Sequence, residues 1–213
     1  MQKNLSRWQR LKSIDFYFIT DSGLSKSGII DDVNQALKAG CKIIQYREKA
    51  KKNLEEAIQL RKLCNESNAI FLINDDVQLA IDVDADGVHL GRQDMKCEEA
   101  RKALPDRIIG LTVHDEKEAM DAEKTGADYI GLSPIFATST KKDAGIPCGI
   151  PMIAKVRRKT NLPIVAIGGI TKENLAGVIR AGADSAVAIS AVLKGDVKKN
   201  VEEFIRIMRE NKL

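Results

Sequence analysis

Short apolar runs of four or five residues alternate along this chain with longer segments whose apolar positions recur at helical spacing, from residue 16 to the end. Phe16-Tyr17-Phe18-Ile19-Thr20 predicts a first strand, ending in Asp21-Ser22-Gly23, and 29–39 a helix closed by Gly40. The rhythm repeats with Lys42-Ile43-Ile44-Gln45-Tyr46 and a helix over 54–65, then with Ile70-Phe71-Leu72-Ile73 and a short helix over 77–83. Gly87-Val88-His89-Leu90 is the fourth strand, and the helix behind it, 96–104, stops at Pro105. Strands over 107–113 and 128–132 follow, with helices over 116–125 and, after a polar loop at 133–149, over 152–160. Strands over 163–167 and 185–189, with helices over 174–181 and 197–210, complete the series. Eight strand-helix units predict an α/β fold of the (β/α)₈ TIM-barrel type, one domain over 1–213. Leu5, Trp8 and Leu11 stand at helical spacing, so 1–12 reads as a short helical extension laid against the body.

A repeated feature supports this frame. Gly40, Gly126 and Gly182 each stand between a helix end and a strand start, where glycine accepts the left-handed conformation that ends a helix. These glycines belong to the bottom of the barrel and carry no chemistry.

Composition narrows the function classes. With 34 basic and 30 acidic residues the net charge is +4, too even for a nucleic-acid footprint, and 4% aromatic content leaves little for base stacking. Cys41, Cys64, Cys97 and Cys148 are scattered, without a close pair that would clamp zinc, and read as thiols in a reducing compartment. No apolar run approaches the roughly 20 residues of a membrane span, and residues 1–12 lack the apolar stretch of a signal peptide. A cytoplasmic protein without membrane or nucleic-acid partners is expected. A homo-oligomer is compatible with the sequence, which carries no signal for or against one.

In such a barrel the chemistry sits in the loops after the strands' C-terminal ends. Asn74-Asp75-Asp76 and Asp94 follow two consecutive strands, so Asp75 and Asp94 face one another at the rim. Two carboxylates there suit Mg²⁺ with substrate phosphates, or they cap the helices that follow; the pattern leaves both readings open. Gln45, Arg47 and Lys49 alternate in an extended segment and point one way, an arrangement that suits a diphosphate or else a solvated strand end paired to Glu48 or helix acids. Thr112 and His114 share a face after the fifth strand, whereas His89, inside its strand, reads as a core or pocket-wall residue. Thr138-Ser139-Thr140-Lys141-Lys142, in the loop after the sixth strand, has an anion-receiving composition and the length of a lid, or else is a plain flexible polar loop. Gly168-Gly169 and Ile189-Ser190 follow strands seven and eight, where phosphate-binding barrels hold their phosphate.

Laid out together, these motifs resemble the thiamine phosphate synthase family from Phe18 to about Ala191. Ile44-Gln45-Tyr46-Arg47-Glu48-Lys49 is similar to the family's pyrimidine-diphosphate segment, and Asn74-Asp75 with Asp94 to its amide and Mg²⁺ ligands. The run 138–144 is similar to its thiazole-phosphate loop, with Lys141 turned to the diphosphate, and Gly169, Ile189 and Ser190 match its phosphate-holding positions. Thr112 stands where the family usually has serine, and Gly145-Ile146-Pro147-Cys148 where a more apolar, proline-led run is common. The resemblance implies a Mg²⁺-dependent transferase of thiamine biosynthesis acting on a pyrimidine diphosphate and a thiazole phosphate. Arg47, Lys49, Lys141 and Thr112 would carry catalysis. Two alternatives share the barrel: a thiazole tautomerase with His114 as base, and a non-catalytic phosphometabolite-binding protein.

Overall fold

The computed structural model describes residues 11, 14–49, 53–138, 140 and 145–212. Eight parallel strands pair in sequence order: β1 (Tyr17–Ile19), β2 (Ile43–Tyr46), β3 (Ile70–Asn74), β4 (Gly87–Leu90), β5 (Ile108–Val113), β6 (Tyr129–Leu132), β7 (Ile164–Ile167) and β8 (Ser185–Val187). A parallel bridge from Phe16 to Ala186 brings the last strand back to the first, as the eightfold pattern predicts. Helices α1 (Ile29–Lys38), α2 (Leu54–Glu66), α3 (Val77–Asp82), α4 (Cys97–Ala103), α5 (Glu116–Lys124), α6 (Ile150–Arg157), α7 (Lys172–Arg180), α8 (Ile189–Leu193) and α9 (Val197–Asn211) cover the outside. Among the described residues no helix is long and apolar enough to cross a membrane.

Strand alternation divides the core in two. Tyr17, Ile19, Ile43, Leu72, Tyr129, Val165 and Val187 fill the barrel interior, while Phe18, Ile44, Tyr46, Phe71, Ile73, Ile109 and Ile130 meet the helices. Leu11 and Ile14 join the interior cluster. The rest of the helix expected over 1–12, Trp8 included, lies outside the described residues.

Local chemistry sets the helix ends. Asn53, Asp76, Asp115 and Asp196 each accept backbone N–H groups at an N-terminus, and Thr171 with Asn174 forms a capping box. Two starts therefore come earlier than the apolar pattern suggests: α7 begins at Lys172, fixed by Thr171, and α6 begins at Ile150 with a proline in its first turn. The expected eighth strand is also shorter, because Ala188 turns the chain and Ile189 opens a helix. Gly40, Gly126 and Gly182 do adopt positive φ, from 88° to 106°.

The end of the barrel opposite the cleft holds a repeat the sequence reading passed over. Asp86, Asp128 and Asp184 each precede an even-numbered strand, and each accepts an N–H from the start of the strand before it, that of Phe71, Ile109 or Ile164, at 2.8–2.9 Å. Each carboxylate also pairs with an arginine from the preceding even-numbered unit: Arg61 at 2.7 Å, Arg101 at 2.6 Å and Arg157 at 2.9 Å. Asp15, before β1, completes the ring with Arg209 and Lys212 of the last unit at 2.7 and 2.9 Å. Burial pushes the Asp15 carboxyl upward, but the bonds and charges of Lys212 and Arg209 outweigh it and hold its pKa below the ordinary value. Asp128→Ala removes the carboxylate partner of Arg101, which keeps backbone carbonyl acceptors, and leaves the Ile109 N–H without its acceptor, so urea unfolding should show a loss of roughly 2–3 kcal/mol. The exposed Lys124–Asp121 pair is the control: Lys124→Ala should cost less than about 0.5 kcal/mol.

Candidate functional site

The strand C-terminal ends surround a cleft of about 490 Å³. Gln45, Arg47, Asn74, Asp75, His89, Asp94, Thr112, His114, Thr138, Thr140, Gly169, Ile189 and Ser190 all line it. These expected residues thus converge from seven of the eight strand ends, whereas Lys49, expected to point with Gln45 and Arg47, is not among the residues that line the cleft.

Asp75 and Asp76, adjacent in sequence, separate in role. Asp76 accepts Leu79 N–H at 2.9 Å and caps α3. Asp75 extends the β3–β4 ladder by one step, its N–H donating to the His89 carbonyl at 2.8 Å, and then adopts φ 65°. That left-handed conformation, which aspartate tolerates better than most residues, sets Asp75 on the cleft wall with Asn74 Nδ2 donating to its Oδ2. Asp94 is no helix cap either, since Lys96 holds that position before α4. Its Oδ2 accepts the Gly91 N–H at 2.6 Å and ties the loop after β4 into a compact turn at the rim.

Arg47 and Lys49 do have an acidic partner, but it comes from the end of β1. Asp21, with its side chain 3% exposed, binds Arg47 Nη1 at 3.1 Å and Lys49 Nζ at 3.2 Å through the same Oδ2. Thr20 fixes the Arg47 backbone, its hydroxyl accepting the Arg47 N–H at 2.8 Å and donating to the Arg47 carbonyl at 2.9 Å. Lys49 also donates to the Thr140 carbonyl at 3.0 Å, which links the loops after β2 and β6 across the rim. Nothing in the sequence separated Asp21 from an ordinary turn residue.

Alternation along the chain moves two expected contacts away. Tyr46 points outward from β2, where its hydroxyl donates to Glu56 at 2.7 Å and accepts Asn53 N–H at 3.1 Å. Burial first, and then Glu56, push its pKa up to about 12. Tyr46 does not line the cleft, and neither does Glu48. Both alternate with Gln45 and Arg47, so the period that brings one pair inward turns the other away.

The loop after β6 is anchored at its base. Ile135 and Phe136 N–H donate to the carbonyls of Ile167 and Gly168, and Cys148 and Gly149 N–H to those of Pro134 and Ile135, at 2.8–3.0 Å. Thr138 and Thr140 line the cleft, whereas Ser139, Lys141 and Lys142 lie outside the described residues. At Gly169, φ is 62° and a Cβ would stand 2.6 Å from the Ala137 carbonyl, so only glycine fits between this loop and β7. Beside it, after the neighbouring strand β8, Ile189 and Ser190 begin α8, where backbone N–H groups have no partner within the helix.

His114 stands at the rim, its Nδ1 2.7 Å from Glu118, which Arg92 also binds. His89 is more deeply set, and a line of hydrogen bonds leaves it in both directions. Its Nε2 is 2.9 Å from Thr112 Oγ1 and its Nδ1 2.8 Å from the Tyr129 hydroxyl. Tyr129 meets the Tyr17 hydroxyl at 2.8 Å, and Tyr17 accepts Gln45 Nε2 at 2.6 Å. The pattern along the chain marks the two ends of this line and gives His89 as a core or pocket-wall residue, whereas both tyrosines, inside strands, read only as core.

The family model for thiamine monophosphate synthase matches residues 16–192. A thiamine-phosphate synthase of Methanosarcina mazei is 56% identical over 95% of this chain and 86% of its own length. The Methanosarcina barkeri enzyme of the same name is 53% identical over 99% and 98%. Among solved structures, thiamine phosphate pyrophosphorylase from Pyrococcus furiosus is 39% identical and superposes with a TM-score of 0.86, covering 95% of this chain and 98% of that one. A match across nearly the whole barrel, at these identities, leads to one conclusion: the chain belongs to the thiamine monophosphate synthase family.

Proposed function

We propose that this protein is a thiamine phosphate synthase, a transferase joining 4-amino-5-hydroxymethyl-2-methylpyrimidine diphosphate to a 4-methyl-5-(2-phosphoethyl)thiazole, plain or carboxylated, with release of pyrophosphate and, from the carboxylated form, of CO₂ as well. The observation that carries this reading is the meeting of two groups in one cleft: Arg47 with the carboxylates Asp75 and Asp94, suited to a diphosphate with its cation, and Gly169 with Ile189 and Ser190, suited to a phosphate.

Diphosphate departs from a benzylic-type carbon, and the electron-rich aminopyrimidine bears the cation that remains. No protein nucleophile is needed. Arg47, held by Asp21 and Thr20, and Lys49 stabilise the leaving charge from positions fixed before the substrate arrives. Lys141 joins them in this proposal. The donor chemistry at Asp75 and Asp94 fits a hard cation, because Mg²⁺ is held by one or two carboxylates plus phosphate oxygens and needs no closed protein cage. Among the described residues no group of three or more His, Cys, Asp or Glu side chains forms such a cage. When bound there, Mg²⁺ would neutralise charge developing on the diphosphate. Asn74 holds the Asp75 carboxylate in place. Gly169, Ile189 and Ser190 receive the thiazole phosphate, with Thr138, Ser139 and Thr140 closing over it, so that the ring nitrogen faces the cation. Four free cysteines, with Cys41 pushed up to about 11 by burial, support a cytoplasmic setting.

Bond formation moves no proton, so His114 is not chemically required. His114→Asn should retain coupling within about tenfold of wild type, whereas loss of a general base typically costs 10²–10⁴-fold. Coupling and thiazole tautomerisation are to be measured in both proteins. A wild type without coupling, whose tautomerisation disappears in the variant, would replace this proposal with the tautomerase.

A further inference from the structure

Five side chains form one hydrogen-bonded line inside the barrel, and both of its ends, Gln45 and Thr112, lie on the cleft wall. The middle of the line is built into the fold. His89, Gly110 and Tyr129 stand abreast in register on β4, β5 and β6. A Cβ at Gly110 would lie 2.1 Å from Tyr129 Cζ, and one at Gly131 would lie 2.9 Å from His89 Cε1. Two glycines thus leave the room in which imidazole and phenol meet across a strand. Tyr17 and Tyr129 are fully buried, and burial raises both phenol pKa values, so both hydroxyls keep their protons and remain donors.

Such a chain has a direction, because each hydroxyl that accepts one bond donates the next. Gln45 Nε2 donates to Tyr17. Tyr17 then donates to Tyr129 and Tyr129 to His89 Nδ1, which leaves the proton of a neutral imidazole on Nε2, donating to Thr112. At the cleft this leaves the Gln45 carbonyl oxygen as an acceptor and the Thr112 O–H as a donor. We infer that Tyr17, Tyr129 and His89 are positioning residues that fix this polarity. The cleft is thereby set to read a heterocycle carrying an exocyclic amino group beside a ring nitrogen, and to reject the oxo analogue, whose donor and acceptor are reversed. The inference rests on the coupling reaction proposed above only for the identity of that heterocycle.

The chain contains only two histidines, so the imidazole ¹⁵N spectrum is simple, and His114→Asn assigns it. The expected signature for His89 is an unprotonated Nδ1 and a protonated Nε2, read without any substrate. The opposite tautomer, or an imidazolium at neutral pH, would overturn the inference whatever the enzyme makes. The second arm compares kcat/KM for the 4-amino and 4-oxo pyrimidine diphosphates in wild type, Tyr17→Phe and Tyr129→Phe. The intrinsic difference in reactivity of the two pyrimidines is common to all three proteins and cancels. Tyr17→Phe removes the acceptor of the Gln45 amide, which can then turn, and Tyr129→Phe breaks the line between Tyr17 and His89, so that neither end has its polarity fixed by the other. The preference for the amino substrate should fall at least about tenfold in both variants. KM for thiazole phosphate should stay within about twofold. An unchanged preference, with both substrates slowed alike, would reduce the two tyrosines to core packing.

Discussion

Asp75→Asn and Asp94→Asn are each expected to lower Mg²⁺-dependent turnover by at least about 10²-fold, near 3 kcal/mol of transition-state stabilisation, without unfolding the barrel. The two halves of this expectation have separate causes. Asparagine removes a unit of charge from a hard-cation ligand, so activation by Mg²⁺ weakens. It also tolerates the left-handed backbone that residue 75 adopts at φ 65°. At residue 94 it retains an oxygen that can accept the Gly91 N–H. Stability should therefore change by no more than about 0.5–1 kcal/mol. Turnover against Mg²⁺ concentration, measured beside thermal melting, checks both. Full activity in either variant would remove that carboxylate from the metal site, and collapse of the fold would make it structural.

Arg47→Ala is expected to have the other large effect, a fall of about 10²–10³-fold in kcat/KM for the pyrimidine diphosphate. It carries a stability cost as well, because Asp21 loses one of the two cations that bind it among the described residues, while its side chain is 3% exposed. A carboxylate left short of partners in such a place costs roughly 1–3 kcal/mol. A double variant separates the two effects. In Arg47→Ala/Asp21→Asn the buried charge is gone, so part of the lost stability should return while turnover stays low. Arg47→Lys keeps the charge without the planar fork that reaches Asp21 and the diphosphate together, and should fall between. Recovery of turnover in the double variant would mean that Arg47 acts on the fold and not on the substrate.

What the sequence reveals here follows from periodicity. Strands such as Ile43–Tyr46 and Ile70–Asn74 are legible because a strand buried on both faces is continuously apolar, and the rim residues follow from where each run stops. The same period assigns Gln45 and Arg47 to the cleft and excludes Tyr46, once strand alternation is applied to every member of the motif. Asp75 and Asp76 could not be told apart, because their difference lies in a backbone dihedral that adjacent aspartates do not advertise. Asp21 was hidden for a related reason: one acid after a strand reads as a turn until the arginine and lysine 26 and 28 positions later fold against it. The Arg–Asp ring at the closed end and the Tyr17–Tyr129–His89 line are contacts across the barrel. Each member looks like an ordinary core or helix residue in its own segment, and the pairing exists only when the barrel closes.

The central claim is a bond between two heterocycles, and it is tested most directly by supplying both. Purified protein is mixed with the pyrimidine diphosphate, thiazole phosphate and Mg²⁺, and thiamine phosphate and pyrophosphate are quantified over time. The account predicts that the two products appear in equal amounts, and that neither thiamine phosphate nor a comparable release of pyrophosphate is seen when thiazole phosphate is left out or Mg²⁺ is chelated. Absence of thiamine phosphate with both substrates present, or pyrophosphate released at the same rate without the thiazole, would contradict it.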